Sequence, residues 1–234
     1  MLSIIIPTLN EESHIERLIE DLNRQMKKGD EVIVVDSYSK DRTVGIAEKL
    51  GAKIIMEPKN GNGLARTAGA KQAKNGIIVF VDADSIIAED FLERIRKHFE
   101  NPDLKVVGGL DLYTSDSKIW KWVYDTYSRI VFILAKLNHA IKKECWVPSN
   151  NSGFRKDIFL EAGGYRSVVC EDADLMRRFP KTDDIVYDDK LIVSLSDRRF
   201  RSHGFFRTVG LWTIGNLKLM LGSKVESADY KKGY

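Results

Sequence analysis

The first half of this sequence predicts an α/β doubly wound fold, a mostly parallel sheet with helices on both faces. Three observations carry that expectation. Short uninterrupted apolar runs alternate with stretches whose apolar residues recur at helical spacing. The runs end in polar residues and not in hairpin signals. Acids stand at or just beyond three of those ends, at Glu11, Asp36 and Asp82.

The first run, residues 2–6, leads into Pro7-Thr8-Leu9-Asn10-Glu11-Glu12. Ile15, Leu18, Ile19 and Leu22 then mark a helix, for which Ser13 with Glu16 is expected to form a capping box. Residues 31–35 are the second run, closed by Asp36, and residues 39–43 lead into a helix ending at Gly51. Residues 53–56 are the third strand, 64–74 a helix with Gly76 past its end, and 77–81 the fourth strand. Beyond Asp111 the pattern loosens. Residues 118–141 read as a long amphipathic helix rich in aromatics, 146–155 as a loop entering a short strand, and Gly163-Gly164-Tyr165 as a turn. Residues 171–179 form a short helix with acids in its first turn, where the helix dipole favours them, and 191–195 a final strand. The expected division is a nucleotide-binding half at 1–110, an acceptor and catalytic half at 111–196, and a basic aromatic tail at 197–234.

Composition narrows the function classes. At 234 residues the chain is one or two domains, and 43% hydrophobic against 30% charged residues excludes wholesale disorder. A net charge of +3 is too balanced for a dedicated nucleic-acid binder, so no nucleic-acid partner is expected. The longest uncharged stretches run ten residues, against about 20 for a membrane-spanning helix. Two cysteines make neither a disulfide framework nor a zinc site. The chain opens into a strand pattern without a basic-then-apolar leader, which reads as cytoplasmic, either soluble or at the inner face of the cell membrane. The tail sharpens the second alternative: residues 194–234 carry eight Lys or Arg and three acids, net +5, among aromatics. That segment either packs its apolar residues on the core or lies on an anionic membrane.

In sheets of this class ligands sit beyond the carboxyl ends of the strands. Asp82 and Asp84, one residue apart at such an end, can share Mg2+ or Mn2+ with a diphosphate, because both cations take hard oxygens from few carboxylates and from phosphates. A solvated turn or helix cap would use the same residues. Asp36 can accept from the ring N–H of uracil or guanine, or simply form a turn. The loop from Asn60 through Gly63, entering a helix with Arg66, can bring a fixed cation to a phosphate or be a surface turn. Among Glu171, Asp172 and Asp174, one acid facing the crevice can take a proton from an acceptor hydroxyl. His203 is the one histidine placed to touch metal or phosphate.

Taken in order, these pieces resemble the family 2 glycosyltransferases, whose fold is GT-A. The resemblance covers roughly residues 2–195. It rests on Ile-Ile-Pro-Thr-Leu-Asn-Glu at 5–11, Asp36-Ser-x-Ser-x-Asp41-x-Thr43, Gly63-x-Ala65-Arg66, Val-Asp82-Ala-Asp84, Gly153-Phe-Arg155 with Gly163-Gly164-Tyr165, and Glu171-Asp172-Ala-Asp174-Leu175. It implies an inverting, metal-assisted transfer of one sugar from a nucleotide-sugar donor, UDP-linked before GDP-linked, to a glycan hydroxyl or a lipid-linked acceptor. Pro7, Leu9, Glu11 and Asp36 would line the nucleoside, with Arg66 near base or phosphates. Asp82 would lie by the ribose or sugar, Asp84 would bind metal and diphosphate, and Asp172 would be the general base beside Glu171. Processive members carry Gln-x-x-Arg-Trp and membrane-spanning helices, neither of which is read here; Arg198 and Arg199 would supply phosphate contacts instead. Tyr38 stands where the family usually has glycine, so the turn carrying Asp36 is expected to be built differently. The rivals are a sugar nucleotidyltransferase, which would need a glycine-rich basic loop after the first strand, and a non-catalytic nucleotide-sugar-binding paralogue.

Overall fold

The computed structural model describes residues 1–58, 61–168 and 170–220, the last five as backbone only. Its strands form one sheet in the order β3-β2-β1-β4-β7-β6-β8-β5. The first four to appear in the chain, β1 (Leu2–Thr8), β2 (Glu31–Asp36), β3 (Lys53–Met56) and β4 (Ile77–Val81), are the apolar runs read from the sequence, and they pair in parallel. Their connections are α1 (Ile15–Gln25), α2 (Thr43–Lys49) and α3 (Asn62–Gln72). Apolar residues at successive positions let each strand feed two cores. Leu2, Ile4 and Ile6 of β1 join Leu18 and Leu22 of α1 on one face, while Ile5 joins Ala65 and Ala70 of α3 on the other. The capping box does not form: His14 is the N-cap of α1, and no side chain caps the helix. A turn takes its place, because the carbonyl of Glu11 already accepts the His14 and Ile15 amides.

Pro7 has no N–H to give a neighbouring strand. The ladder from β1 to β4 ends at Ile5 and Phe80, two residues before it, while the ladder to β2 continues to Thr8. The sheet therefore splits at the carboxyl ends of β1 and β4.

The chain then adds β5 (Ile86–Ile87), α4 (Phe91–His98), β6 (Val106–Thr114), α5 (Lys118–Lys142), β7 (Asn151–Arg155) and α6 (Lys156–Glu161). After these come α7 (Glu171–Arg178), β8 (Ile185–Ser196), α8 (Arg198–His203) and α9 (Phe205–Met220). β7 is antiparallel to both β4 and β6, so the second half of the sheet is mixed. β8 is longer than the expected 191–195. It runs parallel to β6, with a register shift that sets Gly109 against Asp188 but Leu110 against Ile192, leaving Asp189, Lys190 and Leu191 bulged. Those charges broke the apolar run that would have marked the strand. Gly109 lets the bulge close, since a side chain there would strike the Leu191 carbonyl and the Asn151 amide.

α8 and α9 turn back onto α5. Phe200 is buried with its ring 4.5 Å from Tyr124, and Phe205 stacks on Tyr124 at 5.4 Å, so this part of the tail packs on the core. Phe206 and Ile214 remain exposed. Lys224, Lys231 and Lys232, which carry much of the tail's charge, lie outside the described residues.

Candidate active site

The loops after β1 and β2 are fastened to each other. The Asn10, Glu11 and Glu12 amides donate to Ser39 Oγ (2.8 Å), Thr43 Oγ1 (2.8 Å) and Asp41 Oδ2 (3.1 Å). Ser39, Asp41 and Thr43 are thus committed to holding loops. Asp36 is fully buried and accepts from Thr8 Oγ1 (3.0 Å), the Ser39 amide (2.7 Å) and Ser39 Oγ (2.6 Å). Of roughly four lone-pair directions on a carboxylate, three are used here. Tyr38 takes φ +61° and an exposed position, so the turn has left-handed backbone even though the residue is not glycine.

Arg66 of α3 is 2% exposed and bridges two acids, Asp82 beyond β4 and Glu171 at the start of α7. Gly63, one turn earlier, makes the approach possible, because a Cβ there would collide with the Glu171 carboxylate and the Arg166 carbonyl. Burial works against the Arg66 charge, but Asp82 and Glu171 outweigh it and raise its pKa. The guanidinium also lies 6.0 Å from the Tyr165 ring centroid. Arg66, expected from the sequence near base or phosphate, here ties the strand end to the α7 acids.

A second arginine bridges the outer acids. Arg198 of α8 holds Glu11 with Nη2–Oε1 at 2.7 Å and Nη1–Oε2 at 3.2 Å, and its Nε lies 3.2 Å from Asp84 Oδ2. Burial raises the Asp84 pKa, with the Asp82 and Glu11 charges adding to it and Arg198 opposing. The hard carboxylate oxygens gathered here are of the kind a divalent cation takes. Among the described residues no group of three or more His, Cys, Asp or Glu is arranged to hold one. A cation shared with a bound diphosphate would need only Asp82 and Asp84 from this chain. Arg199 is exposed, its charge reaching Tyr113, and the His203 ring bonds Ser202 Oγ at 2.7 Å. Pro7 is buried at the split in the sheet and Leu9 half-buried just after it.

The third cluster lies deeper. Burial lifts Glu171 to about 7, against the pull of Arg66 and with the charge of Asp172 adding. Burial also raises Asp172, which accepts from Ser149 and has no direct bridge to Arg66 among those described. Asp111 of β6 is pushed up to about 7 by burial, against hydrogen bonds from Asn150 and Asn151. Its Oδ2 accepts from Asn150 Nδ2 at 3.1 Å, while Oδ1 is buried without a partner. Asp111, Ser149 and Asn150 were not found as site residues from the sequence. A signal for Asp111 existed: Val106-Val107-Gly-Gly-Leu-Asp111 is another apolar run closed by an acid, interrupted by Gly108, which leaves room for Val147, and Gly109, which the bulge requires.

Comparison with known proteins follows the same outline. The profile of glycosyl transferase family 2 matches residues 3–163. The O-antigen chain rhamnosyltransferase RfbN of Salmonella typhimurium is 27% identical over 183 residues, 73% of this chain and 58% of that protein. The mannosyltransferase PcManGT of Pyrobaculum calidifontis, solved with GDP-Man and Mn2+, superposes with a TM-score of 0.72 at 16% identity, covering 99% of this chain and 67% of that one. Residues 1–349 of TarS from Staphylococcus aureus, solved with UDP-GlcNAc, give a TM-score of 0.64 at 20% identity over 83% of this chain and 58% of that one. Both structural likenesses are of fold, and the fold is GT-A. The chain spans 32% to 60% of the length of the first curated relatives it matches.

Proposed function

The chain belongs to glycosyl transferase family 2, and from that premise we propose that it transfers a single sugar from a nucleoside-diphosphate sugar to an acceptor hydroxyl or lipid phosphate, with inversion and with help from Mg2+ or Mn2+. The observation that carries the reading is the meeting, at the split between β1 and β4, of acids from both halves of the chain: Glu11, Asp82, Asp84 and Glu171, bridged by Arg66 and Arg198, with Asp172 next to Glu171 in the chain.

The roles follow from the chemistry of each environment. Asp36, held by Thr8 and Ser39, shapes the floor of the nucleoside site, for which a UDP-sugar is preferred to a GDP-sugar. Pro7 and Leu9 wall the nucleoside. Asp84 and Asp82 hold the cation, which when bound neutralises charge on the departing diphosphate. Arg198 exchanges part of its contact with Glu11 and Asp84 for the donor phosphates, and exposed Arg199 adds to the positive rim. Glu171, committed to Arg66, positions its neighbour. Asp172 is the general base: a carboxylate whose pKa burial raises towards working pH is a better proton acceptor than an ordinary one. The acceptor oxygen bonds to the anomeric carbon as its proton passes to Asp172. The bond from that carbon to the diphosphate oxygen breaks, and the electron pair leaves with the nucleoside diphosphate. Attack opposite the leaving group inverts the configuration. The ligands of the two structural neighbours, GDP-Man with Mn2+ and UDP-GlcNAc, are of the donor class required.

The test is a panel of UDP- and GDP-sugars with Mn2+, read by nucleoside diphosphate release and by thermal shift. UDP with Mn2+ is expected to raise the melting temperature, as any ligand selective for the folded state must. Absence of a shift with every nucleotide, or release of pyrophosphate, would overturn the reading.

A further inference from the structure

Among the described residues, one face of α5 carries no packed neighbour. On α5, Ile119, Trp122, Ile130, Ile133, Leu134, Leu137 and Ile141 are all at least half exposed. At 3.6 residues per turn these positions fall on one stripe, which from Ile119 to Ile141 is about 33 Å long. The core side of the same helix is different: Tyr124 and Ala135 are its buried residues. Lys118, Arg129 and Lys136 line one edge of the stripe at helical spacing, and none has an acidic partner among the described residues. The one acid on α5, Asp125, is tied to Lys121 at 2.5 Å. At the tryptophan end, Trp120, Tyr124, Phe200, Phe205 and Phe206 wall a hollow of about 420 Å3, with Arg201 and Arg207 among its lining.

We propose that α5 lies flat on an anionic lipid bilayer, its apolar stripe seated at the headgroup boundary and Lys118, Arg129 and Lys136 against lipid phosphates. Apolar residues with tryptophan on one face and Lys or Arg beside them are the pattern of an interfacial helix. The three basic side chains along the stripe complement anionic headgroups, which commits the face to a lipid surface. No helix among the described residues is long and apolar enough to cross a membrane, so α5 lies on the surface and does not span it. The sequence left the tail open between packing on the core and membrane contact; the proposal places the lipid contact on α5. The inference rests on exposure and charge alone, and vesicle binding is read without donor or metal, so it stands or falls separately from the transferase reading.

Flotation of the full chain with phosphatidylglycerol-containing vesicles, against neutral phosphatidylcholine vesicles, tests it. At least tenfold stronger partition into the anionic vesicles is expected, weakened by salt. A variant with Trp122→Ser, Ile133→Ser and Leu137→Ser, all exposed in the fold, is expected to lose at least tenfold, as is one with Lys118→Gln, Arg129→Gln and Lys136→Gln. Equal flotation of the chain and both variants would overturn the proposal. So would loss confined to a variant neutralising Lys224, Lys231 and Lys232, which would return binding to the tail. A chain that ignores vesicles but is a dimer by light scattering, made monomeric by the apolar variant, would equally overturn it in favour of a second copy.

Discussion

The crevice neutralises its buried acids in three different ways, and the contrast between the two arginine-bridged clusters separates scaffold from working surface. Arg66 is sealed between Asp82 and Glu171 at 2% exposure, whereas Arg198 spans Glu11 and Asp84 with its side chain 51% exposed. A buried bridge cannot exchange partners without leaving an uncompensated charge. A half-exposed one exchanges them readily, because water screens what is lost. Asp111 has no arginine; its neighbours are asparagine amides, and at about 7 its pKa leaves a proton to do what a cation does for the others.

The largest effect is expected from breaking the sealed bridge. Arg66→Met leaves Asp82 and Glu171 facing each other and should cost about 3–5 kcal/mol, measured by urea unfolding. Arg66→Lys should recover little of it, since an ammonium cannot fork to two carboxylates. A loss under about 1 kcal/mol for Arg66→Met would place this bridge with the exposed kind. Next is Asp172→Asn, expected to lower kcat by about 10²–10⁴-fold while leaving UDP affinity and the melting temperature near those of the parent. Equal losses in binding and turnover would make Asp172 a donor contact and not a base.

Asp111→Asn sharpens the third case through pH. A carboxyl whose pKa is raised by folding stabilises the native state while protonated, and that contribution is lost as pH climbs through the raised value. The parent should therefore lose stability relative to Asp111→Asn between about pH 4 and 7, by about 4 kcal/mol at pH 8. Melting curves of the two proteins across that range should diverge upward in pH; parallel curves would show that Asp111 is ionised throughout. The smallest effect belongs to the exposed bridge. Arg198→Gln should change stability by less than about 1 kcal/mol, yet weaken UDP binding in the presence of Mn2+ about tenfold by calorimetry, the worth of one charge-assisted hydrogen bond. Unchanged affinity would remove Arg198 from the phosphate site.

How much was legible differs between the two halves of the sheet for a physical reason. β1, β2 and β4 are buried on both faces and, with the shorter edge strand β3, read as apolar runs, so their succession along the chain and the acids at their ends were visible without coordinates. β6 and β8 were obscured by devices that serve the site, the glycines at 108 and 109 and the charged bulge at 189–190. α5 was legible as a helix but not as a helix with two apolar faces, since the pattern alone does not say which one the core takes.

The sequence by itself determined the alternation of strand and helix, the two-faced core and the candidate acids at the strand ends, because all of these follow from side-chain period and local chemistry. Tertiary structure alone decided which cation each acid receives. Arg66 reaches a carboxylate 105 residues along the chain, and Arg198 one 187 residues away. Such pairings depend on how strand ends and helix starts converge in space, and nothing local to either residue encodes that.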